Sequence, residues 1–117
     1  MKTFNSAVVS YNSLIQQHKF KEALDSFYAD EVVFSVNSNQ PHSGIGAFRA
    51  LIESFTQGMK IEALELVSLT IEKNLSVTNW YCALDHTKFG SMNMHYLSVQ
   101  RWKNNKIIQH ALFYDLE

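Results

Sequence analysis

The sequence predicts an α+β fold, three short helices followed by long antiparallel strands. Two observations carry this. Apolar residues recur at helical spacing only in the first half, whereas the second half holds four long runs rich in β-branched and aromatic residues. The breaks between those runs are short, at Lys73-Asn74, Phe89-Gly90-Ser91 and Asn104-Asn105, and such breaks join only antiparallel neighbours. With 117 residues, of which 46% are apolar, the chain reads as one domain (1–117) able to bury a core.

The elements follow in order. Phe4, Ala7, Val8, Tyr11, Leu14 and Ile15 form one apolar stripe, which predicts an amphipathic helix over 4–17. Residues 20–28 read as a second helix with Ala23, Leu24 and Phe27 inward. The stretch EVVFSV is β-branched and aromatic and predicts a short strand. NSNQPHSG, with the only proline, reads as a loop whose Ser43 N-caps a third helix over 44–56, with Gly58 as its stop. Strands are expected over 61–73, 77–89, 92–103 and 106–115. A long twisted sheet coils, so helices on its concave face should enclose a cone with a pocket at the wide end.

Composition narrows the function. The net charge is −1 with no basic cluster, which argues against nucleic acid, where phosphates require a Lys/Arg stripe. The N-terminal stretch is too polar for a signal h-region or a membrane span. One cysteine excludes an intramolecular disulfide and suits a reducing cytoplasm. No CxxC, HExxH, GxSxG, P-loop or GxGxxG is present. No two histidines lie two or four apart on one element, so neither metal nor another cofactor is expected.

Three patches, KFKEALDSFYADEVVFSV, PHSGIGAFRALI and VQRWKNNKIIQHALFYD, resemble the nuclear transport factor 2-like superfamily, and within it the SnoaL-like and ketosteroid-isomerase-like branch. The resemblance implies a cone-shaped curved antiparallel sheet wrapped around three N-terminal helices, a cystatin-like architecture. It identifies a fold rather than a reaction, since members include enzymes, ligand binders and dimerisation modules. The isomerase chemistry it brings to mind needs a carboxylate base and an oxyanion-binding Tyr and protonated Asp. By resemblance, the base position falls near Val36-Asn37 and the Asp position near Ser98, so both carboxylates are missing and only Tyr11 has a counterpart. A typical ketosteroid isomerase is therefore not expected. The resemblance implies instead a small apolar molecule in the cone and, for an enzyme, cofactor-independent isomerisation, cyclisation or dehydration by proton transfer.

The same comparison aims His110 and Tyr114 into the pocket. Alternation then groups Ile108, His110, Leu112 and Tyr114 on one face of the last strand, and Tyr96, Ser98, Gln100 and Trp102 on its neighbour. His110 is the candidate acid/base, with an ordinary pKa of about 6.5, and Tyr11 the candidate donor to an oxyanion. The bland alternative is a core histidine satisfied by a carbonyl or hydroxyl. Tyr96, Ser98, Tyr114 and Trp102 are candidate ligand contacts. Asp85 joins them if the hairpin at Gly90 has a two-residue turn; a three-residue turn shifts the register and brings in His86 with Trp80 and Cys82. His42 is a candidate for the pocket mouth, and His95 should face outward. Aliphatic residues on both sheet faces, Leu97 and Val99 against Tyr96 and Trp102, leave the convex face in need of cover, which predicts a homodimer packed sheet to sheet.

Overall fold

The computed structural model describes residues 3–116. Helix α1 (Phe4–Gln16) starts where the Thr3 hydroxyl accepts the Ser6 N–H at 3.1 Å. It stops at His18, whose left-handed φ of 62° lets His18 and Lys19 donate back to the Ile15 and Leu14 carbonyls. Helix α2 (Phe20–Phe27) buries Ala23, Leu24 and Phe27. It ends one residue earlier than its pattern predicts, because Tyr28 turns extended and opens β1 (Tyr28–Val36), which begins before EVVFSV. The predicted loop contains a two-residue strand, β2 (His42–Ser43), paired antiparallel with β1.

That pairing overturns the N-cap assignment. Ser43 is held opposite Val33, and Gly44 is the cap of α3 (Ile45–Thr56), with φ 102° and its N–H given to the Val32 carbonyl at 2.8 Å. Only glycine enters that backbone region without strain.

Strands β3 (Met59–Glu72), β4 (Leu75–His86), β5 (Gly90–Lys103) and β6 (Lys106–Leu116) form the predicted meander. The sheet has six strands in the order β2-β1-β6-β5-β4-β3, and β1 runs parallel to β6. Periodicity predicted β1 but not its neighbour, since a parallel partner is chosen by the crossover path and not by a hairpin. Register shifts between Ile61 and Ala63 and between Leu66 and Ser68 put two bulges in β3, which bend the sheet. The β5–β6 turn places Asn104 and Asn105 at φ 52° and 61°, the conformation of a tight two-residue hairpin.

The concave face packs on the helices. Ala7, Val8, Phe27, Val32, Trp102 and Ile107 are buried together. Farther along the sheet, Cys82, Leu84 and Met94 form a second packed region with Phe55, Met59 and Tyr114. A register shift beyond Arg101 sets Trp102 opposite Ile107, so Ile107 and not Ile108 is the fully buried residue at this end.

Candidate functional site

Between the helices and the concave face lies a cavity of about 320 Å³. Its wall is mainly apolar, with Val36, Phe48, Ile52, Met59, Leu84 and Met94 among its members. Polar groups enter from α1 (Tyr11, Asn12), from the start of β1 (Tyr28) and from the last two strands (Tyr96, Ser98, His110, Tyr114). Among the described residues, no aspartate or glutamate borders it. A second recess, which shares Phe20, Leu24, Ile52 and Met59 with the cavity, continues outward past His18, Lys21 and Arg49. Arg49 is ion-paired with Asp25 at 2.7 Å.

The polar groups form one continuous chain, and the donor-only indole of Trp102 sets its direction. Trp102 Nε1–H donates to Ser76 Oγ at 2.9 Å, and the Ser76 hydroxyl donates to Gln100 Oε1 at 2.6 Å. Gln100 Nε2–H donates to Ser98 Oγ. The Ser98 hydrogen is then left for His110 Nε2, 2.6 Å away. That fixes the imidazole as the Nδ1–H tautomer, which donates to Tyr28 Oη at 2.9 Å. Tyr28 in turn donates to Tyr11 Oη at 2.6 Å. The opposite tautomer would leave the Ser98 hydrogen without an acceptor, a poor arrangement for a buried hydroxyl. The Tyr11 hydroxyl ends the chain at the cavity wall with its hydrogen uncommitted among the described residues.

This environment keeps every member neutral. Burial pushes the His110 pKa down to about 4, so the ring is uncharged at pH 7. Burial also pushes the Tyr11 hydroxyl up to about 12, against a smaller lowering by its bond to Tyr28. Tyr28, Tyr96 and Cys82 are raised by the same cause. The site therefore offers neutral O–H donors and no charge.

The SnoaL-like domain profile matches residues 8–110. The chain belongs to the SnoaL-like family. The SnoaL-like fold is shared with solved structures at low identity. A protein from Mesorhizobium loti, described as a SnoaL-like polyketide cyclase, superposes with a TM-score of 0.87 at 14% identity, over 97% of this chain and 100% of the other. An NTF2-like protein from Cytophaga hutchinsonii gives 0.76 at 14% identity, over 97% and 100%. An LEH-like epoxide hydrolase from M. tuberculosis gives 0.73 at 15% identity, over 93% and 80%. A search among curated proteins finds no match.

Within this SnoaL-like cone, His110, Tyr11, Tyr96, Ser98 and Tyr114 border the cavity. Trp102 does not: α1 and α2 close over it, and its ring meets Phe4, Tyr11 and Phe27 edge-on at 5.7–6.1 Å. It is part of the core and the anchor of the polar chain. Asp85 is also outside. The turn between β4 and β5 spans residues 87–89, so Asp85 pairs with Ser91 on the exposed side and accepts its hydroxyl at 2.7 Å. His86 points inward in its place, donating from Nε2 to the Phe55 carbonyl at 2.9 Å while Nδ1 accepts the Lys88 N–H. His42 stacks on Phe34 away from the cavity, and His18 borders the outer recess instead. His95 lies exposed against Tyr81.

Two polar members of the site escaped the sequence reading. Tyr28 was hidden as the end of a helix, although a tyrosine at a helix–strand junction can carry a hydroxyl into the sheet's first layer. Asn12 lies beside Tyr11 on α1, and a buried Asn inside an amphipathic stripe was the available signal. Gln100 shares a face with Ser98 but gave no sign of joining it to Ser76.

Proposed function

We propose that this SnoaL-like protein binds a neutral, largely apolar carbonyl compound in the cavity and polarises it through a hydrogen bond from Tyr11. The uncommitted Tyr11 hydrogen, delivered by the His110–Tyr28 chain into an uncharged apolar space, carries the reading. A donor prepositioned where carbonyl oxygen gathers charge serves isomerisation, cyclisation and dehydration by proton transfer. The Mesorhizobium loti protein described as a SnoaL-like polyketide cyclase has the same fold. His110 is assigned as a positioning residue and not as the base, because both ring nitrogens are engaged. The cavity volume favours a ligand pocket over a dimerisation module with a filled cone.

A thermal-shift titration with 2-acetylnaphthalene tests this. Saturating ligand should raise the melting temperature by about 10 °C, as expected for about 2–3 kcal/mol of binding linkage in a domain of this size. Tyr11→Phe should bind about tenfold more weakly, the worth of one hydrogen bond. A flat titration, or equal affinity for wild type and variant, would reject the reading.

The homodimer belongs to the same proposal. Val77, Val99 and Ala111 lie in register across β4, β5 and β6, and beside them Leu97 and Phe113 pair on the convex face. Leu97 is 43% exposed and Phe113 37%. A second copy of the same face would cover them. Leu97→Asp should convert a dimer to a monomer in sedimentation velocity, and a wild-type monomer at tens of micromolar would dismiss the dimer. No helix among the described residues is long and apolar enough to cross a membrane. We place the protein in the cytoplasm, where a buried thiol such as Cys82 stays reduced.

A further inference from the structure

The cavity wall holds a polar atom that the chain from Trp102 to Tyr11 does not reach. Asn12 is 3% exposed and borders the cavity. Its Nδ2 donates to the Val8 carbonyl at 3.0 Å, one turn back on α1. That bond fixes the amide orientation, since the flipped amide would set oxygen against oxygen. Oδ1 is consequently left as an acceptor with no hydrogen-bond partner among the described residues. A buried carbonyl oxygen without a donor costs about 1–3 kcal/mol, and such an atom calls for a partner. The oxygen has almost no accessible surface of its own, so a donor from the cavity that Asn12 borders reaches it through a small shift of the amide.

The neighbouring residue, Tyr11, has the opposite need. Successive residues of α1, both bordering the cavity, thus carry one uncommitted hydrogen and one uncommitted acceptor. A plain ketone satisfies the first and leaves the second bare. A hydroxyl can both accept and donate. We propose that Asn12 is a ligand-binding, specificity-determining residue that selects compounds carrying a hydroxyl (an alcohol, a phenol or the enol form of a ketone) over those with a carbonyl alone. This rests on the cavity being a ligand site, and deepens that reading by naming the ligand class. In proton-transfer chemistry the enol is the neutral intermediate, so an acceptor for its O–H favours the intermediate over the ketone.

Three probes of like size separate the terms: 2-naphthol, 2-methoxynaphthalene and 2-acetylnaphthalene, titrated calorimetrically into wild type and Asn12→Leu. Wild type should prefer the naphthol over its methyl ether by tenfold or more. In Asn12→Leu the preference should fall below threefold, while the ketone's affinity changes less than threefold. Should that variant not fold, a crystal structure of wild type with 2-naphthol decides, with its oxygen expected within 3.2 Å of Asn12 Oδ1, about the limit of a good hydrogen bond. Ketone binding with no hydroxyl preference, a preference that survives in Asn12→Leu, or a naphthol oxygen placed elsewhere would overturn the inference while leaving the pocket reading intact. Failure of all three probes to bind overturns both.

Discussion

Replacing Trp102 by alanine is expected to lower unfolding stability by about 3–5 kcal/mol, the range for emptying a large buried aromatic site. Trp102 is 2% exposed and sits where α1, α2 and the β5–β6 hairpin converge. Its edge-on contacts with Phe4, Tyr11 and Phe27 would be lost together. A domain of this size has only about 5–15 kcal/mol in total, so the variant should stand near the limit of folding at 37 °C. Trp102→Phe isolates the indole hydrogen. It keeps most of the ring but leaves Ser76 without its donor, and should cost about 1–2 kcal/mol more than the volume change alone. Urea denaturation monitored by far-UV circular dichroism measures both, and a loss below about 1 kcal/mol for alanine would contradict the assignment of this residue to the core.

The second large effect is a pH dependence centred on His110. Its pKa lies at about 4 in the folded protein and about 6.5 in the unfolded chain. Above pH 6.5 neither state binds the proton, and the contribution of the buried neutral ring is fully present. As pH falls from 6.5 towards 4, only the unfolded state takes up the proton, so stability falls, by up to about 3 kcal/mol. Below 4 both states are protonated and this contribution is flat. The groups packed on the ring are Tyr28, Ser98 and Phe48, and none supplies a compensating negative charge in that window. Unfolding free energies measured at pH 7.5 and 4.5 should therefore differ by more in wild type than in His110→Gln, by roughly 2–3 kcal/mol. Equal pH slopes in the two proteins would show that the imidazole is hydrated.

The fold was legible because its signals are local. The apolar stripe from Phe4 to Ile15, the β-branched runs and the Asn104-Asn105 turn each act over a few residues. The parallel pairing of β1 with β6 was not, because it joins residues such as Phe34 and His110 that share no local pattern. The site divides along the same line. The family resemblance aimed His110 and Tyr114 inward, and alternation along β5 and β6 then carried Tyr96 and Ser98 to the same face. Trp102 obeys the same alternation yet lies outside the cavity, since what fills the space above a strand is decided by helices distant in sequence. Asp85 against His86 turned on whether one turn holds two residues or three, a choice the stretch around Gly90 leaves open.

The parallel seam between β1 and β6 also has a bearing on how the protein is made. Tyr28 and His110 are 82 residues apart, and the bond between them draws on the earliest and the latest strands of the sheet. During synthesis, α1, α2 and β1 emerge with their inner faces uncovered, and the strand that closes over them is translated last. Loop closure over such a span is slow, and exposed apolar surface in the interval invites aggregation. The polar chain at the cavity therefore cannot exist on a nascent polypeptide until β6 has left the ribosome, so the feature proposed to make this protein chemically competent is also among the last to form.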